Sequence, residues 1–341
     1  MHIFVTGATG FIGFHTVMAL NNAGHTIRFG VRNAEKMKQL YAPFDIDTSD
    51  FAIGEITDSE AINKGLEGCD AVVHTAAVVS LDPSKADHMM HTNLTGTKLV
   101  IGGAVKKGIK SIVYVSSIAA LFDRHATVIN EETPLTQPKS AYAISKRQCE
   151  EYVRGLMDAG ASVAITYPSA VIGPFDPAMS EGNQSIKIMT ALTCIHSTTG
   201  QQIIDVRELA NVHVKLLEQK KSGRYVVSGH YRPWKGMSAA LDKATGKTLR
   251  KIPMPRGGMR ALGNLIDFIR RFIPLDVPVS REAITYATEW VYSDDQKVRD
   301  ELTIEYRPLE ETLADTVEWL AQSGHIKKHW AENITHKKSA K

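Results

Sequence analysis

His2-Ile3-Phe4-Val5-Thr6-Gly7-Ala8-Thr9-Gly10-Phe11-Ile12-Gly13 opens the chain with an apolar run that breaks into glycines at every third position. His2 to Val5 reads as a short buried strand. A helix is expected from Phe11 to about Ala23, with Gly24 placed to end it. A strand delivered through glycines into a helix makes a tight turn. It also brings backbone close to a pyrophosphate and aims a helix N-terminus at its charge. Isolated glycines would serve a ligand-free turn equally well. With the strand before and the helix after, the dinucleotide reading is the stronger.

The same alternation continues outward. Thr26 to Val31 is a second strand, and residues 71–75, 111–116 and 163–167 repeat the buried-strand signature. Helical patterns at 59–67, 86–107 and 142–159 separate them. Strands and helices alternating at this spacing predict an α/β Rossmann fold, a doubly wound parallel sheet with helices on both faces. Its ligands sit at the carboxyl ends of the strands, where the strand order reverses. After Pro168 the regularity weakens, with Pro174, Pro177, Gly182, Pro253, Pro255, Gly257 and Gly258 recurring. The expected division is a dinucleotide-binding domain over 1–168, with a return segment near 195–230. A smaller irregular C-terminal substrate lobe covers 169–330, and a flexible basic tail covers 331–341.

The composition, 43% hydrophobic and 23% charged, is that of an ordinary soluble protein. A net charge of +3, with scattered basic residues, argues against a nucleic-acid partner. No run approaches the ~20 apolar residues of a membrane span, and a strand beginning at His2 leaves no room for a signal peptide. Cys69, Cys149 and Cys194 lack metal-ligand spacing; reduced thiols in a cytoplasmic protein without a metal are expected.

NAD-binding units usually place an acid at the end of the second strand, ~20 residues after the glycine loop, to grip the ribose 2′-hydroxyl. Here the segment is Arg28-Phe29-Gly30-Val31-Arg32-Asn33, with no acid. Arginine suits a 2′-phosphate instead. Arg32, at the strand end, is the better candidate, and Arg28 could be a plain surface residue. NADP(H) is therefore favoured over NAD(H).

Tyr142 and Lys146 in Ala-Tyr-Ala-Ile-Ser-Lys stand four residues apart, on one face of a helix. A phenol of pKa about 10 is a poor proton-transfer catalyst at neutral pH. A neighbouring ammonium, together with an oxidised nicotinamide, favours the phenolate. Ser116 and Ser117 close a buried strand, where a hydroxyl can hold a substrate oxygen.

Several segments then carry a family resemblance. They include the glycine loop, Leu66-Glu-Gly-Cys-Asp-Ala-Val-Val-His-Thr-Ala-Ala77, Asn93-Leu-Thr-Gly96, Val113-Tyr-Val-Ser-Ser117, Tyr142 to Lys146, Pro168-Ser-Ala-Val-Ile-Gly-Pro174 and Ile204-Asp-Val-Arg-Glu-Leu-Ala210. The chain resembles an extended short-chain dehydrogenase/reductase of the NAD-dependent epimerase/dehydratase superfamily. It is most similar to the dihydroflavonol-4-reductase-like and cinnamoyl-CoA-reductase-like group. The resemblance implies catalytic roles for Tyr142 as acid/base, Lys146 as its partner, and Ser117 as oxygen binder with Ser116 the alternate. It implies that Asn93 positions a relay water by kinking its helix. Implied cofactor contacts are Gly7, Thr9, Gly10, Phe11, Ile12, Gly13, Arg32, Glu55, Ile56, Thr75, Ala76, Ala77, Tyr142, Lys146, Tyr167, Pro168, Ala170 and Val171. The implied substrate pocket comprises Ser117, Ile118, Phe122, Tyr142 and Phe175.

Departures from the family narrow the chemistry. Glu55 stands where the family commonly has Asp. The stretch Tyr167-Pro-Ser-Ala-Val-Ile-Gly-Pro-Phe-Asp176 lacks the arginine pattern of nucleotide-sugar enzymes, and Ile118 replaces the acid of sugar dehydratases. Ile118-Ala-Ala-Leu-Phe122 forms an apolar wall where plant flavonoid reductases often carry an amide. His74 reads as a satisfied buried residue, and Asp205-Val-Arg207 as a link between lobes. The amphipathic segment 256–273 carries Leu262, Leu265, Ile266, Ile269 and Phe272, flanked by Arg260, Arg270 and Arg271. It is expected to pack on its own domain rather than on a membrane. Met179, Met189, Phe175 and Trp234 suit the substrate lobe or ordinary core equally.

The expected activity is NADPH-dependent reduction of an aldehyde or ketone, reversible as alcohol oxidation, by a monomer or homodimer acting on a small molecule. Alternatives are a 3β-hydroxysteroid dehydrogenase-like enzyme, a nucleotide-sugar epimerase, or, in another class, an NADP-binding sensor.

Overall fold

A computed structural model describes residues 1–80, 83–197, 199–269 and 281–334. In chain order the strands are β1 (His2–Thr6), β2 (Thr26–Val31), β3 (Phe51–Ile53), β4 (Ala71–His74), β5 (Ser111–Val115) and β6 (Ala164–Pro168). They continue as β7 (Ala170–Ile172), β8 (Cys194–His196), β9 (Gly200–Asp205), β10 (Gly223–Val227), β11 (His230–Pro233) and β12 (Lys251–Pro253).

The main sheet has seven strands in the order β10-β6-β5-β4-β1-β2-β3, and every neighbouring pair is parallel. Helices cover both faces, so the central strands are apolar throughout rather than alternating. Ile3 and Val5 point to a core shared with Phe14, Val17 and Leu20 of the helix Phe11–Asn22 and with Leu209 and Val212 of the helix Val206–Glu218. Phe4, between them, points to the other core, with Ile101, Cys149 and Val153. From β1 the chain winds outward to β3, then crosses back to β4 on the other side of β1. That reversal opens a crevice at the carboxyl ends of β1 and β4.

Gly24, at φ +79°, ends the first helix as the sequence suggests. The pattern over 86–107 forms one helical run with a π turn at Lys98–Gly102. β3 and the helix Ala34–Tyr41 had no legible signal. The C-terminal region adds a three-stranded sheet, β11-β9-β7, and a two-stranded one, β12-β8. Met189, Trp234, Met237, Leu313 and Val317 pack there in a third core, with Met179 at its edge. Asp205 caps the helix Val206–Glu218, and the Arg207 guanidinium joins it at 2.7 Å to Asp315, at 2.6 Å, on the helix Leu309–Gln322.

The helix Arg256–Ile269 buries Met259 and packs Gly263 against Ile284. Its Leu265 and Phe268 are 54% and 57% exposed, so the expected packing holds for only one face. Arg270, Arg271 and Phe272, like the basic tail 335–341, lie outside the described residues. Among the described residues no helix is long and apolar enough to cross a membrane.

Three imidazoles are buried inside this frame. His15 donates to the Pro174 carbonyl at 2.8 Å, His74 bridges Thr6 and Thr97, and His213 bridges Thr16 and Thr166. Burial lowers their pKa values, to about 4 for His15 and about 3 for His74 and His213. An unfolded histidine titrates near 6.5, so below that pH the unfolded chain binds more protons and stability falls with pH. Between pH 7 and 5 each imidazole should cost roughly 2 kcal/mol. Urea unfolding across that range should show a steep loss of stability, reduced in slope by His213→Gln. A flat profile would contradict the neutral, buried state.

Candidate active site

Gly7 adopts φ +78°, and its amide face closes on the loop after β4. A Cβ there would stand 2.5 Å from Thr75 Oγ1 and 2.6 Å from the Ala76 nitrogen; on Gly13 it would stand 2.1 Å from the Gly7 carbonyl oxygen. Both positions therefore require glycine. Gly10 donates to the Gly7 carbonyl at 2.9 Å, and the Tyr41 hydroxyl donates to the Ala8 carbonyl at 2.7 Å, holding the turn from outside. Gly10 caps the helix without a side-chain acceptor. The first-turn N–H groups thus lack an internal partner and suit a phosphate. The residues present fit a dinucleotide: a cradle that any side chain would fill, backed by a helix N-terminus.

The two arginines of the second strand separate clearly. Arg28 is pinned, its Nε donating to Asp50 at 2.8 Å and its Nη1 to the Glu67 carbonyl at 2.5 Å. Arg32 is 74% exposed at the carboxyl end of β2, and its guanidinium stands 3.9 Å from the Glu55 carboxylate. Glu55 and Ile56 follow β3, and Ile56 packs against Gly96. The loop after β2 thus carries an exposed cation, Arg32, with an acid beside it.

The helix Ala141–Asp158 begins at Ser140, whose hydroxyl accepts from the Ala143 amide at 3.2 Å. Tyr142 lies half-buried in its first turn. Lys146, one turn on, is buried, and its ammonium donates to the Val115 carbonyl at the end of β5, at 3.1 Å. Burial lowers the Lys146 pKa, while Cys149 and Glu150 push it back up. Tyr142, Lys146, Glu150 and Arg154 recur at every fourth position, one stripe along the helix.

Glu150 is fully buried and accepts from Ser116 Oγ at 2.7 Å, Arg154 Nε at 2.8 Å and the Tyr167 hydroxyl at 2.5 Å. The sequence offered no signal for this hub beyond its four-residue spacing from Lys146. Its consequence is direct: Ser116 is spent inside the core. Ser117 is half-buried, and its oxygen caps the 3-10 turn Ile118–Ala120 by accepting from Ala119 at 3.2 Å, which leaves its proton to be donated.

A family model described as the NAD dependent epimerase/dehydratase family matches residues 3–228. The chain belongs to this family. It is 26% identical over 334 residues to a Synechocystis protein designated a dihydroflavonol 4-reductase, covering 95% of this chain and 96% of that one. With cinnamoyl-CoA reductase 2 of Arabidopsis thaliana it shares 27% identity over 347 residues, 95% of this chain and 93% of the other. The crystal structure of vestitone reductase from alfalfa superposes with a TM-score of 0.75 at 18% identity, over 95% of this chain and 99% of that one, and so shares the fold. The fold and the extended short-chain dehydrogenase/reductase membership read from the sequence are thereby shown.

Within this family frame, the residues expected at the cofactor line the carboxyl edge of the sheet. Thr9, Gly10, Phe11 and Ile12 follow β1, and Thr75, Ala76 and Ala77 follow β4. Pro168 ends β6, with Ala170 and Val171 on β7. The Tyr167 ring is buried against Glu150, so a cofactor contact from this residue would come from its main chain. Asn93 lies in the helix Ala86–Thr97. Its Oδ1 accepts from the Val78 amide at 2.7 Å, and its Nδ2 donates to the Val78 carbonyl at 3.0 Å and Ser145 Oγ at 2.9 Å. Both N–H groups are spent, and the irregular turn of its helix lies downstream, at Lys98–Gly102.

On the substrate side, Ile118 and Phe122 belong to one wall, and Phe122 meets Trp290 at 6.3 Å between ring centroids. Trp290, from the stretch without motifs, donates its indole N–H to Gln202 at 3.3 Å. Phe175 is not brought there. At φ +54° its ring turns against Phe14 and Phe44, at 6.4 and 6.0 Å, beside the opposite core. A small cleft of the C-terminal lobe is lined by Ala170, Ile172, Ser185, Met189, Gln201 and Trp234. Among the described residues no group of three or more His, Cys, Asp or Glu side chains could hold a metal ion.

The two serines should separate by experiment. Ser117→Ala should lower cofactor-dependent turnover at least ~10-fold, the rate equivalent of one lost hydrogen bond, and cost no more than the ~0.5–2 kcal/mol of a lost turn cap. Ser116→Ala should spare turnover but cost about 1–3 kcal/mol in chemical denaturation, because buried Glu150 loses a donor. The reverse pattern would show the assignment to be inverted.

Proposed function

We propose that the protein is an NADPH-dependent reductase of apolar aldehydes and ketones, reversible as an alcohol dehydrogenase. One observation carries this reading: a buried lysine ammonium, tied to the end of β5, sits one helical turn behind Tyr142, with Ser117 two residues beyond that strand. The reductase names of the relatives support it.

When bound, the nicotinamide supplies a hydride for the carbonyl carbon. Ser117 donates its hydroxyl proton as a hydrogen bond to the carbonyl oxygen, holding it toward Tyr142. Tyr142 transfers its phenolic proton to that oxygen as negative charge develops there. Lys146 stabilises the phenolate that remains, more strongly for being out of water. The Val115 carbonyl keeps the ammonium oriented. Ile118 and Phe122, both apolar, favour an aliphatic or aromatic substituent over a sugar.

Arg32 supports the choice of NADPH, since its guanidinium is exposed and its contact to Glu55 at 3.9 Å is weak. Arg32→Ala should raise KM for NADPH about tenfold or more and leave NADH little changed. Glu55→Gln, which removes the competing acid, should lower KM for NADPH. The reading includes a cytoplasmic location, which the three free buried thiols support, and a monomer or homodimer acting on a small molecule.

The test is steady-state oxidation of NADPH and NADH against aliphatic and aromatic aldehydes, ketones and diketones, followed by nicotinamide absorbance. The expected result is turnover preferring NADPH, lost by about 10²- to 10⁴-fold in Tyr142→Phe while cofactor affinity stays nearly unchanged. Cofactor binding without turnover of any carbonyl would overturn the reading in favour of a sensor. Interconversion of nucleotide sugars would overturn it in favour of an epimerase.

A further inference from the structure

We propose that Ser145 is a positioning residue that acts through Asn93 to set the spacing between the loop after β4 and the helix bearing Tyr142 and Lys146; the inference rests on the reductase reading above. Ser145 is fully buried and Asn93 is 6% exposed. Asn93 stands in the interior of the helix Ala86–Thr97, yet its side-chain amide bonds to Val78 and Ser145, outside that helix. Its oxygen and one N–H engage the Val78 amide and carbonyl at 2.7 and 3.0 Å, as a neighbouring strand would. Val78 lies beyond the end of β4, where no ladder partner serves it, and a half-buried main chain needs such partners. The second N–H of the amide ends on Ser145 Oγ at 2.9 Å.

The position of Ser145 gives this bond its leverage. It directly precedes Lys146 and follows Tyr142 by three residues, so its attachment fixes the roll of the helix that presents both. The loop at the other end of the clamp contains Thr75 and Ala76, against which Gly7 closes. One amide therefore links the edge of the cofactor crevice to the proton-transfer helix. Displacements of ~1 Å between such elements can cost about 10²-fold in rate. Removing the Ser145 hydroxyl leaves an Asn93 donor without its acceptor and frees the amide to turn.

The experiment compares wild type, Ser145→Ala and Ser145→Thr with NADPH and an aromatic aldehyde, and follows amide hydrogen exchange at Val78. Ser145→Ala should lower kcat about tenfold. It should also move the descending high-pH limb of kcat upward, because Lys146 then supports the phenolate less well. Ser145→Thr, which keeps a hydroxyl, should restore both. The Val78 amide should exchange slowly in the wild type and faster in Ser145→Ala. Wild-type kcat and pH profile in Ser145→Ala, even with a lower melting temperature, would overturn the proposal by reducing Ser145 to a packing residue. Fast exchange at Val78 in the wild type would overturn it whether or not the variant folds. If the wild-type protein reduces no carbonyl, the reductase reading alone fails, and the exchange measurement still decides the clamp.

Discussion

Burying the Lys146 ammonium is the demand around which the rest of the site is arranged. A cation out of water is costly unless it is hydrogen-bonded and compensated, and here the Val115 carbonyl, at 3.1 Å, takes one of its protons. The Tyr114 ring, 6.0 Å below, and the Glu150 carboxylate one turn on supply negative potential. Glu150 then needs donors of its own and finds them in Ser116, Arg154 and Tyr167. The helix Ala141–Asp158 is thus held against β5 and β6 by polar bonds as well as by Cys149 and Val153. That is why Tyr142 can stand at a defined place in the first turn, half-buried.

A second, purely steric constraint brings the cofactor crevice to the same edge of the sheet. The parallel order reverses between β1 and β4, and the loops leaving those strands touch where Gly7 meets Thr75 and Ala76. Only glycines allow that approach, and the same glycines bare the helix N-terminus. Tyr41 and Asn33 extend the arrangement to the carboxyl end of β2. The first ties the glycine turn to the helix Ala34–Tyr41, and the second caps that helix next to Arg32. The glycine turn, Ser117 and the start of the helix bearing Tyr142 and Lys146 consequently follow the carboxyl ends of neighbouring strands or pack against them.

Features with local causes were legible in the sequence. The glycine turn, the apolar strands and the Tyr142/Lys146 spacing depend on neighbours a few residues away, and the structure has them within a residue or two of expectation. Side-chain partners across the fold were not legible. Arg28 and Arg32 look alike on one strand until Asp50 is seen to hold the first. Ser116 and Ser117 look alike until Glu150, a turn beyond Lys146, claims one of them. Tyr167 and Phe175 come to the site from the resemblance alone; a buried carboxylate turns one ring inward, and at a left-handed φ the other packs on Phe14 and Phe44. Trp290 carried no signal, because its place opposite Phe122 depends on a contact to Gln202 more than eighty residues upstream. β3, three residues without periodicity, owes its conformation to pairing with β2.

The central claim is that a hydride and a proton reach one carbonyl by separate routes, with the proton passing through Tyr142. Its most direct test is to run the reduction with NADPH deuterated at nicotinamide C4 and locate the label by mass spectrometry and NMR. The account predicts deuterium on the carbinol carbon, from a single face of the nicotinamide, with a primary isotope effect on kcat/KM. Label retained in the cofactor while substrate is isomerised, or found in neither product, would contradict it.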